Sequence, residues 1–204
     1  MRASLDLPGS GDEPLNWESN VGPMRLVGLD THRPGYDDGQ LDGERLEWLD
    51  RTLAAAGAPT IVATHHPPFL PGIAAADQCA LPPDDRVRFA EVLRRHSHVL
   101  RVISGHVHGA LAGAVAGRPA VVAPSIYRQE ALDFINPEPV LPFDPPGFAL
   151  HLYAGGELHS HFQFVAAPVS PAGSAASSVD QAPCPELRYW TKSGPPHVKR
   201  YFRR

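Results

Sequence analysis

The sequence predicts an α/β domain with mixed sheets, and two patterns support this fold class. Short runs of apolar and β-branched residues alternate with amphipathic helical segments between residues 24 and 103, which is typical of parallel strands joined by crossover helices. Beyond residue 110 the strands come in pairs around glycine-containing turns, as in antiparallel hairpins. With 204 residues, the chain is long enough for one domain with a substantial core.

The pattern in the first part of the chain predicts four strands and two helices. A hairpin joins residues 15–19 to 24–30, and the second of these strands is apolar on both faces, so we expect it inside a sheet. A helix follows, with Asp42 as its N-cap and Gly57 and Pro59 beyond its end. Residues 60–64 form a buried strand, 72–83 a loop, 84–96 a helix capped by Asp84 or Asp85, and 99–103 the next strand.

The second part predicts two hairpins, a proline-rich excursion and a tail. The hairpins pair residues 111–116 with 120–123 and residues 148–153 with 158–164, and His159 and His161 alternate toward solvent. Residues 125–147 form the excursion between them. We expect residues 1–165 to form the domain, 166–187 an Ala/Pro/Ser-rich linker, and 188–204 a basic, aromatic and disordered tail.

Composition excludes several classes of partner. The formal net charge is −4, which gives no electrostatic basis for binding nucleic acid or an anionic membrane, although the basic tail leaves nucleic acid as a third-ranked alternative. The first residues lack the apolar core of a signal peptide, and no apolar run is long enough to span a bilayer. Two distant cysteines indicate neither a disulfide framework nor a metal site, so we expect a cytoplasmic protein.

Two histidine turns are the strongest functional signal. His65-His66-Pro67-Pro68 and Gly105-His106-Val107-His108-Gly109 each follow a predicted buried strand, and a right-handed crossover brings both turns to one sheet edge. Neutral imidazole is a common ligand of Zn, Fe and Mn, and the two glycines supply backbone freedom. A hydrogen-bonded loop pair without metal is the alternative. We expect His65 to be a ligand and His66 to lie behind it or on the substrate side.

These motifs, in this order, resemble the calcineurin-like metallophosphoesterases, within them the branch of cyclic-nucleotide and glycerophosphodiester phosphodiesterases. The similarity spans about residues 16–164. It implies a partial four-layer α/β/β/α sandwich, a phosphoester substrate, and two divalent metal ions (Mn, Fe or Zn) with a hydroxide that attacks phosphorus. It also implies His65 and His106 on one metal and His108 on the other. The residues placed near the substrate by this resemblance are His66, Asp30, His32, Tyr36, Tyr127 and Arg128.

Three motifs that begin the family pattern have no counterpart in the sequence: an initial Asp-x-His, Gly-Asp-x-x-Asp, and Gly-Asn-His followed by Asp or Glu. They precede the matching part in the family and supply the bridging carboxylate and other ligands. Asp30-Thr31-His32 has the Asp-x-His spacing, but it lies in the segment that resembles a later Leu-Asp-Thr of the family, so we interpret this match as coincidence. The chain therefore resembles the carboxyl-terminal half of such an enzyme. We expect a phosphodiesterase fragment completed by a missing amino-terminal half or by a homo-oligomer. The alternative is a non-catalytic remnant or interaction module that binds at most one metal ion through the three histidines.

Overall fold

The computed structural model describes residues 13–140 and 144–165. No helix in this part of the chain combines the length and the apolar character needed to cross a bilayer. The elements in chain order are β1 (Trp17–Val21), β2 (Met24–Leu29), α1 (Gly43–Ala54), β3 (Thr60–Thr64), α2 (Ala74–Gln78), α3 (Pro83–Arg94), β4 (Val99–Ser104), β5 (Leu111–Val115), β6 (Arg118–Val122), β7 (Gly147–Ala154) and β8 (Glu157–Phe164).

Six of the strands form one mixed sheet in the order β1-β2-β3-β4-β6-β5. The four inner strands β2, β3, β4 and β6 run parallel, whereas β1 and β5 pair antiparallel at the two edges. Strands β7 and β8 form a separate two-stranded sheet. The α/β class with mixed sheets is therefore confirmed, and β2 lies inside the sheet as predicted.

Helices α1 and α3 contact each other and bury their apolar faces in one core with the parallel strands. Helix α1 begins where predicted, because the Asp42 side chain accepts a hydrogen bond from the backbone N–H of Arg45 at 3.0 Å. Its residues Leu46, Leu49 and Leu53 are buried, as the spacing of apolar residues requires for one helical face. This core fixes the carboxyl ends of β3 and β4, where the histidine turns begin.

The predicted cap of α3 was wrong. The helix begins at Pro83 with Pro82 as its N-cap and no side-chain cap, since proline at the first helical position needs no N–H partner. Asp85 is buried and accepts a hydrogen bond from the backbone N–H of Leu41 at 2.7 Å, so its carboxylate serves a tertiary contact instead. The helix also ends at Arg94, short of the predicted His96.

Two further features differ from the prediction or extend it. The segment predicted as a loop from residue 72 contains the short helix α2, whose five residues are too few to show an apolar period. The predicted hairpin of residues 111–123 is present as β5 and β6, and, beyond the prediction, β6 also joins the main sheet parallel to β4. The chain thus leaves β4 through the second histidine turn, forms the edge strand β5, and returns between β5 and β4.

One face of the β7–β8 hairpin is exposed and combines apolar residues of β7 with polar residues of β8. Phe148, Leu150 and Leu152 alternate along β7 and are between 44% and 56% exposed. His159 and His161, opposite them on β8, are exposed as predicted. The linker and the basic tail lie outside the described residues, so the predicted domain boundaries stay predictions.

Candidate metal centre

The two histidine turns meet at the carboxyl edge of the main sheet. Strands β3 and β4 are parallel neighbours, so His65 and His106 leave the sheet on the same side. The backbone N–H of Gly105 donates to the carbonyl oxygen of His65 at 3.0 Å, and the hydroxyls of Thr64 and Ser104 hydrogen-bond each other at 2.9 Å. The turns are therefore fastened together as well as adjacent.

Three imidazoles converge at this edge. His65, His66 and His106 each bring a ring nitrogen to within 4.8 Å of the others, a separation that fits ligands around one metal ion. The ring centroids of His65 and His106 are 5.1 Å apart, and those of His66 and His106 are 4.4 Å apart. His65 faces solvent, His66 is buried, and His106 is intermediate.

The ring of His66 is already occupied by hydrogen bonds. Its Nδ1 lies 2.8 Å from the hydroxyl oxygen of Thr31, and its Nε2 lies 3.0 Å from the carbonyl oxygen of Asp37. A ligand nitrogen needs a free lone pair, and His66 has none to offer without losing one of these bonds. Of the three rings, His65 and His106 are therefore the ones suited to metal.

The electrostatics of His65 and His106 suit them to bind a cation. Burial, followed by the charges of His66, His65 and His108, lowers the pKa of His106 to about 4, and burial with neighbouring histidines lowers the pKa of His65. Both rings are therefore neutral near pH 7, the form that binds metal. His106 also hydrogen-bonds the backbone of Cys79, an arrangement that metal-binding histidines commonly use to orient the ring. The donor set fits a divalent ion.

The backbone of the second turn is strained at the histidines themselves. His106 has φ 70° and His108 has φ 52°, both in the left-handed region that residues other than glycine rarely adopt. The expected use of Gly105 and Gly109 for this purpose was wrong, because neither has a positive φ. Left-handed residues of this kind cost free energy and cluster at functional sites.

His108 lies outside the cluster of three. Its backbone carbonyl accepts a hydrogen bond from the N–H of Glu130 at 2.8 Å, and its charge lowers the pKa of both His65 and His106, so it is a near neighbour. The assignment of His108 to a second ion stays a prediction. Within the described residues, no carboxylate joins the cluster.

Of the residues expected near the substrate, two lie in the loop beside the cluster and already have partners. Asp30 uses one carboxylate oxygen for the N–H of Leu15 and the other for the N–H of His32, so it ties the segment before β1 to this loop. His32 is exposed and lies close enough to contribute to the lowered pKa values of both His65 and His66.

Besides His66, described above, the remaining three residues are more peripheral. Tyr36 is 59% exposed beneath the guanidinium of Arg33, which lies 3.7 Å from the ring centroid. Tyr127, 73% exposed, lies in the excursion with Arg128 beside its ring. These roles stay predictions.

A cavity of about 320 Å³ opens beside His106, between α2, the tip of the 31–39 loop and the excursion. Sequence reasoning missed two of its residues, Cys79 and Glu130. Burial raises the pKa of the Glu130 carboxyl, and burial with nearby carboxylates raises the pKa of the Cys79 thiol. Neither residue lies in a motif, so only the fold could have shown them at the site.

Solved structures and curated proteins agree on the class of protein. No family model matches the chain. A dimetal phosphatase from Danio rerio shares the fold with a TM-score of 0.51 and 15% identity, covering 80% of this chain and 60% of that one. The fold is therefore that of the dimetal phosphatases.

Sequence relatives narrow this class. A probable cyclic nucleotide phosphodiesterase of Synechococcus is 41% identical over 86 residues, covering 42% of this chain and 33% of the relative. A probable glycerophosphodiester phosphodiesterase of Arcobacter nitrofigilis is 30% identical over 146 residues, covering 70% of this chain and 53% of the relative. The chain thus spans about a third to a half of the length of these relatives. Its predicted likeness to the phosphodiesterase branch of the calcineurin-like metallophosphoesterases is confirmed.

Proposed function

We propose that the chain forms the histidine side of a metal-dependent phosphodiesterase that acts on cyclic nucleotides or glycerophosphodiesters. The observation that carries this proposal is the pair of neutral imidazoles, His65 and His106, fastened together at the carboxyl edge of the sheet. Relatives named as phosphodiesterases support it. His65 and His106 would hold one divalent ion, Mn, Fe or Zn, and His108 would hold a second together with ligands from elsewhere.

A bound divalent ion supplies Lewis acidity, which activates water and offsets charge that develops on the phosphoryl group. The chain's own residues contribute position and environment. Neutral rings at His65 and His106 leave their lone pairs available near pH 7, and the hydrogen bond to Cys79 fixes which nitrogen of His106 is free. The adjoining cavity has room for the alcohol portion of a diester, with Glu130 and Asp37 on its walls. Carboxylates on these walls would disfavour an anionic alcohol portion.

A second candidate is a non-catalytic module that binds one ion. It is favoured by the absence of a carboxylate from the histidine cluster within residues 13–140 and 144–165, because a dinuclear centre needs carboxylates to offset the charge of two dications. Metal content separates the candidates: two ions per chain favour the complete centre, and one ion favours the module.

A dinuclear centre at this site would need carboxylate ligands from outside the described residues, and this need indicates the kind of partner. The curated relatives are longer than this chain, and we propose that additional polypeptide of this kind covers the exposed apolar side chains of β7 around Leu150 and brings the carboxylates. A second copy of this chain is the competing occupant, and sedimentation of the purified protein distinguishes a dimer from a monomer. The single cysteine of the described part, Cys79, is a free thiol, which agrees with a cytoplasmic location.

The test uses the full chain, dialysed and then loaded with Zn²⁺ or Mn²⁺. We expect stoichiometric metal in the wild type, its loss in His106→Ala, and hydrolysis of an aryl phosphodiester that requires the metal. His159→Ala is the matched control, because His159 is exposed on β8 and pairs with Glu157 away from the cluster. Equal metal content in both variants would contradict the assignment, and a loaded wild type without turnover would leave the one-ion module as the function.

A further inference from the structure

Thr31 and His66 form a buried pair that joins two distant parts of the chain. The Thr31 hydroxyl lies 2.8 Å from Nδ1 of His66 and also accepts the backbone N–H of His66 at 3.2 Å. The two residues are 1% and 3% exposed. The carbonyl oxygen of Asp37, 3.0 Å from Nε2, can only accept, so Nε2 carries the ring proton; in the neutral ring Nδ1 then accepts from the Thr31 hydroxyl.

The other ring nitrogen reaches the far end of the same loop. Nε2 of His66 donates to the carbonyl oxygen of Asp37 at 3.0 Å, so the ring spans the loop of residues 31–39 from its first residue to its tip. The loop closes on itself where the backbone N–H of Gln40 donates to the carbonyl of Thr31 at 2.9 Å. Gly39 lies directly against the ring, since a Cβ there would be 2.7 Å from Cγ and Nδ1 of His66.

The same ring packs against the two candidate ligands. Its centroid is 4.8 Å from that of His65 in an edge-on arrangement and 4.4 Å from that of His106. In the part of the chain that the structure describes, the ring of His65 has no hydrogen-bond partner, so its orientation comes from its backbone and from the His66 and His106 rings beside it. The His66 backbone is fixed as well, because its carbonyl accepts the Thr64 hydroxyl at 2.9 Å.

We propose that His66 is a positioning residue: locked by Thr31 and Asp37, it holds the His65 and His106 rings in their metal-binding arrangement and couples them to the 31–39 loop. The inference rests on the proposed metal centre and adds a residue that supports it without binding metal. One consequence is reciprocal coupling, because a ligand that moves the loop must change metal affinity, and metal must change the loop.

Thr31→Val tests the lock, since it removes both hydroxyl contacts and keeps the side-chain shape. With Co²⁺ as the probe on the full chain, we expect an affinity about tenfold or more below wild type, as for other residues that orient metal ligands, with a changed ligand-field spectrum. Thr31→Ser keeps the hydroxyl, so its Co²⁺ affinity and its ligand-field spectrum should match those of the wild type. Thr60→Val is the matched control, because Thr60 is equally buried on β3 and donates to the carbonyl of Ala58 at the opposite strand end.

The outcomes separate this proposal from the metal centre itself. Equal Co²⁺ affinity in Thr31→Val and Thr60→Val would overturn the positioning role alone, whereas a wild type that binds no Co²⁺ would overturn both. A second measurement needs no variant. During a Zn²⁺ titration, the imidazole ¹⁵N signals of His65 and His106 should change, while those of His66 keep the pattern of a neutral Nε2–H ring. A His66 nitrogen that shifts on coordination would refute the proposal.

Discussion

Gly39→Ala should be among the most destabilising single substitutions near the site. The backbone of Gly39 is not left-handed, so the cost comes from space alone. A Cβ would lie 2.7 Å from Cγ and Nδ1 of His66 and 2.8 Å from a methyl of Leu81. Neither neighbour can give way, because His66 is held through both ring nitrogens and Leu81 is 1% exposed.

Overpacking of this kind costs about 1–3 kcal/mol, and the immobility of both neighbours places Gly39→Ala at the upper end, about 3 kcal/mol. With a urea dependence of about 2 kcal/mol per molar, the unfolding midpoint should fall by about 1.5 M. The assay is urea unfolding followed by circular dichroism on the metal-free chain.

Gly43→Ala is the control, since Gly43 opens α1 and an added Cβ there would meet no atom within 4 Å apart from its chain neighbours and the backbone of its own helix. Its midpoint should equal or exceed that of the wild type, because alanine favours helix over glycine by up to about 1 kcal/mol. Equal midpoints for the two variants would refute the claim that the His66 ring is immobile.

Two further outcomes are expected in the same unfolding assay. Asp42→Ala should cost about 1–2 kcal/mol by removing the N-cap of α1 and its ion pair with Arg45, whereas Glu47→Ala, on an exposed pair, should change little; equal effects would contradict the capping role. The metal-free chain should lose stability as pH falls from about 6.5 toward about 4, because the lowered pKa values of His106 and His98 let the unfolded chain bind protons that the folded chain does not. A midpoint unchanged between pH 7 and pH 5 would contradict this.

The sequence predicted most of the scaffold, because each element that it located had a local signal. Residues 60–64 form β3 as predicted, since a run of apolar and β-branched residues bounded by proline and histidine leaves few alternatives. The cap of α3 could not be foreseen, because the carboxylate of Asp85 is used by Leu41, 44 residues earlier in the chain. Helix α2 is too short for its pattern to emerge.

The candidate metal centre was also predictable in part. The strand-crossover-strand arrangement was enough to predict that His65 and His106 would meet, because parallel neighbours end at the same edge. The two adjacent histidines look alike in sequence, and only the contacts made by Thr31, 35 residues away, distinguish the one with occupied nitrogens from the one with a free ring. The strain at His106 was also not predictable, because the flanking glycines are the residues expected to absorb it.

The left-handed backbone at His106 and His108 has a consequence for how such a turn evolves. Glycine adopts this conformation without steric cost, so replacing either histidine by glycine would relieve local strain of about 1 kcal/mol or more. In a lineage that no longer used the turn for binding, drift toward glycine or asparagine would therefore be favoured on stability alone. The two histidines therefore occupy positions where folding stability alone favours other residues.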